Sequence, residues 1–248
     1  MLRKTDLRQV KKVAQAFLML EPELTAYSPI VVKHPFTDSG TCAINTGSGE
    51  WELANILDNP KAMQSWRKTI SDLIDNAESA EQIHMMLTKS YRFAFLKYAM
   101  PHLSKQDFSE YLADAWVNCE APNGDPNFTQ RQMVSLFRKA APESLMDEDD
   151  LQRFMELEET VAVYRGVTSF NAERVRALSW TLDKDTAHWF AHRFGEDGTV
   201  YEAQIEKKHI LAFFSSRNES EVIVDPKYLM EIEEVQSMDT GLTFHQTM

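Results

Sequence analysis

Cysteine, glycine and proline are scarce in this sequence. The 248 residues include only 2 cysteines, 8 glycines and 9 prolines. So little glycine and proline argues against a long linker or a disordered chain. Cys42 and Cys119 lie far apart and lack the spacing of a metal site. The sequence therefore favours two buried thiols over a disulfide, as is typical of a reducing cytosol.

Basic charge and long apolar runs are lacking as well. The 38 acidic and 26 basic side chains give a net charge of -12. This balance disfavours binding to the phosphate backbone of nucleic acids and favours small ligands or basic protein surfaces. No apolar run approaches the ~18 residues of a membrane span, and the basic start of the chain lacks a signal-peptide cleavage site. The sequence thus predicts a cytoplasmic protein without a membrane partner.

The first half of the chain has the apolar period of helices. This period is present near the start and again over residues 60–142. An acidic helix follows, with Asp147 as its cap and its end near Leu157. The intervening stretch 29–49, rich in Ser, Thr, Gly and Pro, fits either short strands or a loop. We therefore expect a mainly helical region over residues 1–150, whose role the sequence leaves open.

After residue 150, short β-rich stretches replace the helical period. One helix, over residues 184–194, interrupts them. The predicted strands are residues 160–165, 175–181, 199–205, 210–214, 221–225 and 229–235. Short strands with mostly antiparallel pairing and few helices are typical of an α+β fold.

Arg165 ends the first of these strands. Strand alternation places it on the same face as Val161 and Val163. A guanidinium that closes an apolar row needs an anion or an acceptor beside it, because burying an unpaired charge is costly. Arginine binds a pyrophosphate through paired hydrogen bonds. The alternative is an arginine in an ion pair at the surface.

Two further polar groups stand at strand ends. Ser179 and Thr181 share one face of their strand, where they can hold a ribose or position a carboxylate; alternatively they close the strand and cap the next helix. Glu219 and Glu221 are expected on one strand face, about 6.5–7 Å apart. Paired carboxylates can stabilise positive charge at a sugar carbon and move a proton, as in glycoside cleavage. The alternative is an exposed acidic strand end.

In this order, Arg165, Ser179-Trp180-Thr181 and Glu219-Ser220-Glu221 resemble the Arg–Ser–Glu pattern of the ADP-ribosyltransferase superfamily, in the branch with a Glu-x-Glu motif. The resemblance covers residues 160–235 and extends to phage and prophage proteins with such a domain behind a helical region. A tryptophan replaces the middle residue of the usual Ser-Thr-Ser, where the side chain points to the other face. The resemblance implies an NAD⁺-binding domain of two small, mostly antiparallel sheets over residues 151–248.

The resemblance also implies a role for each residue that binds NAD⁺. Arg165, with Gly166 beside it, would bind the phosphates and the nicotinamide ribose. Ser179 would orient the catalytic carboxylate, and Thr181 would support the site. Glu221 would bind the ribose 2′-hydroxyl and stabilise the oxocarbenium ion as nicotinamide leaves.

The acceptor side of the site follows from the same resemblance. Glu219 would activate the acceptor, and a glutamate at this position indicates arginine acceptors in the family. Residues 213–218 would form the loop that recognises the acceptor, with Phe214, Arg217 and Asn218 as candidate contacts. We thus predict a phage-type, NAD⁺-dependent mono-ADP-ribosyltransferase that modifies a protein. NAD⁺ glycohydrolysis and a catalytically inactive binding module are the alternatives.

Other motifs indicate structure instead of chemistry. His188 and His192 stand four residues apart, but no third ligand is near them in sequence, and Trp189 occupies the position of the zinc-protease glutamate. We expect packed or solvated histidines and no metal. The chain contains neither a Gly-x-Gly-x-x-Gly motif nor a Gly-Lys-Ser/Thr loop, which disfavours Rossmann and P-loop nucleotide sites.

Overall fold

The computed structural model describes residues 3–45, 49–169, 171, 174–195 and 197–235. The chain divides into two compact units, one ending at Leu151 and the other beginning at Gln152. The pattern of apolar residues in the sequence changes from helical to strand-like near the same position. Within the described ranges, no helix is long and apolar enough to cross a membrane.

The first unit is mainly helical. Its helices are α1 (Leu7–Leu18), α2 (Pro60–Asn76), α3 (Ala80–Met85), α4 (Arg92–Ala99), α5 (Lys105–Asn118), α6 (Gln130–Lys139), α7 (Pro142–Leu145) and α8 (Glu148–Glu156), within which the division falls. Its strands are β1 (Glu23–Leu24), β2 (Val32–Lys33), β3 (Thr41–Asn45) and β4 (Trp51–Asn55), paired antiparallel as β1–β2 and β3–β4. The stretch 29–49, which the sequence left open, therefore contains strands.

Polar side chains start several of these helices. The side chains of five cap residues accept hydrogen bonds from backbone N–H groups of the following turn: Asp6, Asn59, Ser79, Ser104 and Thr129. Such caps satisfy donors that a helix leaves unpaired at its start. The helices enclose a core with several fully buried large side chains, among them Phe93, Phe95, Leu96, Leu112 and Trp116.

The second unit is built on antiparallel strands. Its elements are β5 (Thr160–Val167), β6 (Ser179–Thr181), α9 (Lys184–His192), β7 (Thr199–Glu206), β8 (Ile210–Phe214), β9 (Glu221–Val224) and β10 (Met230–Glu234). The strands pair in the order β10-β7-β5-β6-β9-β8. The three strands β10, β7 and β5 join the three strands β6, β9 and β8 through the residue pair Tyr164–Thr181. A helical N-terminal region followed by small antiparallel sheets confirms the predicted α+β class.

One predicted strand is shorter than expected. The alternation over residues 175–181 predicted a strand throughout, but β6 begins only at Ser179. The Arg176 guanidinium donates to the carbonyls of Pro226 and Leu229 at 2.9 and 3.2 Å, and the backbone around it bends. A short run with a period of two does not by itself specify a strand.

Two glycines bring α9 close to the sheet. A Cβ at Gly166 in β5 would lie 2.2 Å from the Ala187 carbonyl oxygen and 2.5 Å from the Ala191 nitrogen. A Cβ at Gly198, next to β7, would lie 2.3 Å from the Ala191 carbonyl oxygen and 2.4 Å from that of Val167. Both collisions are with backbone atoms, so no small side-chain adjustment relieves them. Glycine is therefore required at both positions for α9 to pack as it does.

Gly166→Ala should destabilise the second unit because its new methyl group would push α9 away from β5. The expected loss is at the upper end of the range for overpacking, about 1–3 kcal/mol. Thermal melts followed by circular dichroism would measure it. Gly195→Asn is the matched control, since φ at Gly195 is +74°, which asparagine tolerates, and no atom lies within 4 Å of its added Cβ. Equal melting temperatures for Gly166→Ala and the wild type would contradict the close approach.

Candidate active site

Arg165 is a buried cation in β5. The pleat of the strand turns it inward with the apolar residues of the same face, as alternation predicted, and it is only 8% exposed. Its Nη1 donates to the Ser179 carbonyl at 2.5 Å, whereas its buried Nε has no hydrogen-bond partner among the described residues. Burial lowers the pKa of Arg165 to about 10, with the charge of Glu221 opposing the shift and that of Arg193 adding to it. Arg165 is therefore still a cation at neutral pH.

Ser179 and Glu221 meet on neighbouring strands. β6 and β9 are paired with Thr181 opposite Glu221 and with Ser179 opposite Ile223. The Ser179 hydroxyl donates a hydrogen bond to Oε1 of Glu221, whose residue is 8% exposed. The carbonyl and the hydroxyl of one serine thus link the guanidinium of Arg165 to the carboxylate of Glu221. We call Arg165, Ser179 and Glu221 the connected set.

Thr181 links the strand ends around the connected set. Its hydroxyl donates to the Glu219 carbonyl at 2.6 Å and accepts from the Asp183 N–H at 3.0 Å. Asp183 in turn caps α9 by accepting from the Asp185 N–H at 2.9 Å. Thr181 therefore closes the strand and supports a helix cap. The Ser179 hydroxyl, in contrast, binds a carboxylate.

Glu219 does not share a strand face with Glu221. β9 begins only at Glu221, and Ser220 before it has a φ of 43°. This left-handed conformation interrupts strand alternation. The expectation that both carboxylates lie on one strand face was therefore wrong. Glu219 is instead a half-buried residue of the preceding turn, with its carbonyl held by Thr181.

The turn before β9 is also shorter than the acceptor loop predicted over residues 213–218. Phe214 is buried as the last residue of β8, where it pairs with Glu221. It is only 4% exposed, and its role as an acceptor contact stays a prediction. The exposed part is a short 3-10 helix, Ser216–Asn218, in which Asn218 is exposed with a φ of 57°. The side chain of Arg217 lies outside the described part of the chain.

Two side chains near α9 escaped the sequence analysis. The Cβ of Phe190 lies 2.8 Å from the place that a Cβ of Gly166 would take, so this ring starts beside β5. The Arg193 guanidinium lies 5.1 Å from the centroid of the Phe190 ring, and its charge lowers the pKa of Arg165. Arg193 therefore acts electrostatically on Arg165. No motif marks Arg193, since only the packing of α9 brings it near.

The remaining candidates show ordinary contacts. His188 and His192 stack with ring centroids 6.3 Å apart, and Nδ1 of His192 lies 2.8 Å from the His188 carbonyl oxygen. No group of three or more His, Cys, Asp and Glu side chains that could hold a metal occurs within the described ranges. Cys42 and Cys119 are free thiols; Cys42 is buried as predicted, but Cys119 is only half-buried.

Comparison with known proteins yields no family assignment. No protein-family model matches the chain, and searches of curated proteins and of solved structures find no significant match. The features that bear on function are the contacts and charges of the connected set and the motifs that its residues form.

The connected set combines an incompletely paired cation with a fixed carboxylate. A buried donor without a partner costs about 1–3 kcal/mol, so the native fold alone leaves Arg165 under-satisfied. An anion with several oxygen acceptors suits such a guanidinium. The carboxylate of Glu221, held by Ser179, suits a group that carries or develops positive charge. The arrangement thus fits a ligand with a phosphate beside an electron-poor centre.

Inorganic pyrophosphate should raise the melting temperature of the second unit, because it would bind the folded Arg165 and not the unfolded chain. Stabilisation reaches about 2.7 kcal/mol at a concentration one hundred times the Kd. Thermal melts would compare pyrophosphate with sodium chloride at equal ionic strength. Arg165→Ala should abolish the shift, and Arg153→Ala, at an exposed position of α8, should retain it. A shift that persists in Arg165→Ala would show that the anion binds elsewhere.

Proposed function

We propose that the second unit is a mono-ADP-ribosyltransferase domain that transfers ADP-ribose from NAD⁺ to a protein side chain, with arginine as the acceptor. The hydrogen-bonded chain from Arg165 through Ser179 to Glu221 carries this proposal. The three residues come from separate strands, in the order of the superfamily that their motifs resemble. The free thiols support the cytoplasmic setting that is part of the proposal.

Arg165 and Arg193 suit the diphosphate of NAD⁺. Arg165 has an orphaned donor, and Arg193 contributes a second positive charge in the same region. Both guanidinium groups carry the positive charge that complements a diphosphate. Guanidinium groups bind phosphate oxygens in pairs and keep their charge when partly buried. Arg165 engages the diphosphate before any bond breaks, so its main contribution is to affinity.

Glu221 has the chemical role. The bond that breaks joins the nicotinamide nitrogen to the anomeric carbon of the ribose, and nicotinamide leaves with the bonding electrons. Positive charge then builds on the ribose. A carboxylate oriented by Ser179 and bonded to the ribose 2′-hydroxyl stabilises this charge more in the transition state than in bound NAD⁺. The burial of Glu221 strengthens the interaction, since less water screens it.

Glu219 would serve the acceptor. A guanidine nitrogen attacks the anomeric carbon and gives up a proton, which the Glu219 carboxylate accepts. Glu219 lies outside β9, however, and its carbonyl is held by Thr181, so its carboxylate can act only from the turn before Glu221. This looser placement favours NAD⁺ glycohydrolysis, in which water replaces the acceptor, as the second candidate function.

Glu221→Gln should lower turnover while leaving most NAD⁺ affinity, because it keeps the shape and a hydrogen bond but removes the charge. Loss of one such electrostatic group typically costs about 10²–10³ in rate, or ~2.7–4 kcal/mol. Arg165→Ala should show the opposite balance and weaken NAD⁺ binding first. Calorimetric affinity and nicotinamide release by the wild type and both variants would measure these effects.

Thermal melts should accompany this comparison, since Glu221 also offsets the charge of the buried Arg165. Glu158→Gln, at an exposed position, is the matched control and should behave like the wild type. An active enzyme indifferent to Glu221→Gln would mean that another carboxylate carries the chemistry. A wild type that binds NAD⁺ without consuming it would support an inactive binding module instead, and one that does not bind NAD⁺ would refute the proposal.

Glu219→Gln should separate transfer from hydrolysis. The amide cannot accept the acceptor's proton, whereas the charge of Glu221 on the ribose remains. We therefore expect transfer to an arginine-rich protein or to agmatine to fall by at least about tenfold, within the usual range for general-base catalysis, and NAD⁺ hydrolysis to persist. Labelled NAD⁺ followed into both products would measure the ratio. Equal losses of transfer and hydrolysis would show that Glu219 acts on the whole site.

A further inference from the structure

The outer face of α1 concentrates basic charge. Residues 1–12 contain five basic side chains and one acidic, in a protein whose net charge is -12. Arg8 and Lys12 are exposed one helical turn apart, and neither forms an ion pair within the described part of the chain. Like charges at this spacing repel each other and destabilise a helix. In α2, by contrast, the same spacing pairs Lys68 with Asp72, with Nζ and Oδ2 2.9 Å apart.

These cations line a cleft between α1 and α2. Its lining consists of Leu7, Arg8, Lys11, Lys12 and Gln15 of α1 and Asp75 of α2. The cleft has a volume of about 550 Å³, and small-molecule sites typically measure about 300–1,000 Å³. Three of the lining side chains are basic and one is acidic, so positive charge predominates.

Hydrogen bonds between the two helices hold this cleft in shape. Nζ of Lys11 donates to the Asp75 carbonyl at 2.7 Å, and Nε2 of Gln15 donates to Oδ1 of Asp75 at 3.0 Å. On the opposite face of α1, Val10 and Ala14 are fully buried in the core. Because the apolar face of the helix is already covered, α1 cannot insert that face into a lipid bilayer. The basic face therefore suits an anion in solution.

We propose that this cleft binds a small soluble ligand with two or three adjoining phosphate groups. Its three cations lie within residues 8–12, about 6 Å along the helix axis. This span suits a compact polyphosphate and not an extended nucleic acid. A guanidinium binds phosphate oxygens through paired hydrogen bonds, and a lysine ammonium binds them as a point charge. The proposal uses no residue of the connected set, so it stands or falls independently of the proposed function.

Protection of single lysines from acetylation would measure binding at this cleft alone. The probe is inorganic triphosphate, the reagent is acetic anhydride, and mass spectrometry resolves each lysine. Triphosphate should slow the acetylation of Lys12, whereas Lys89 and Lys97, two exposed lysines of the same unit, should keep their rates. Arg8→Gln should raise the triphosphate concentration needed for protection at least about tenfold, the equivalent of ~1.4 kcal/mol. Arg131→Gln, at an exposed position of α6, is the matched control and should behave like the wild type.

Protection of Lys12 that Arg8→Gln weakens would support the site even in a protein that does not bind NAD⁺. Equal slowing at all three lysines, or the same protection by sodium sulfate at equal ionic strength, would overturn the assignment, because either result would reflect general screening. Unchanged protection in Arg8→Gln would overturn it as well. Protection by vesicles that contain phosphatidylinositol bisphosphate, without protection by triphosphate, would assign the cations to a membrane surface instead.

Discussion

The buried guanidinium of Arg165 is the constraint on which the second unit depends. Removing a charge from water is unfavourable by several kcal/mol unless protein groups replace the lost water. The Ser179 carbonyl and the charge of Glu221 replace part of the lost hydration of Arg165, and they link β5, β6 and β9. This link lies near the single residue pair, Tyr164 and Thr181, that joins β5 to β6. The compensation is incomplete, because Nε has no partner in the described chain. A buried charge that the fold compensates only in part does not favour stability, and such groups are typical of functional sites.

The close packing of α9 on the sheet depends on two glycines. Because Gly166 and Gly198 have no side chains, the helix backbone comes within van der Waals contact of the strands. This contact places Phe190 beside β5 and Arg193 over its ring. The electrostatic effect of Arg193 on Arg165 is thus a consequence of helix packing.

The turn before β9 has a strained backbone that hydrogen bonds hold in place. Asn218 and Ser220 both have positive φ, a conformation that costs non-glycine residues roughly 1–2 kcal/mol each. The turn is nevertheless held, because the Thr181 hydroxyl binds the Glu219 carbonyl and the Leu182 N–H binds the Ser220 carbonyl. Strained backbone that its surroundings fix in place is concentrated at functional sites. In this unit the strain lies immediately before Glu221 and determines where Glu219 can act.

The sequence by itself determined the α+β class and the inward direction of Arg165, because helical period and strand alternation are local properties of the chain. It also marked Ser179 and Glu221 as polar residues at strand ends. Only the tertiary structure decided that these two meet, since the register of β6 against β9 sets their separation. The displaced Glu219, the buried Phe214 and the approach of Arg193 likewise depend on backbone strain and helix packing between residues distant in sequence. No local pattern contains that information.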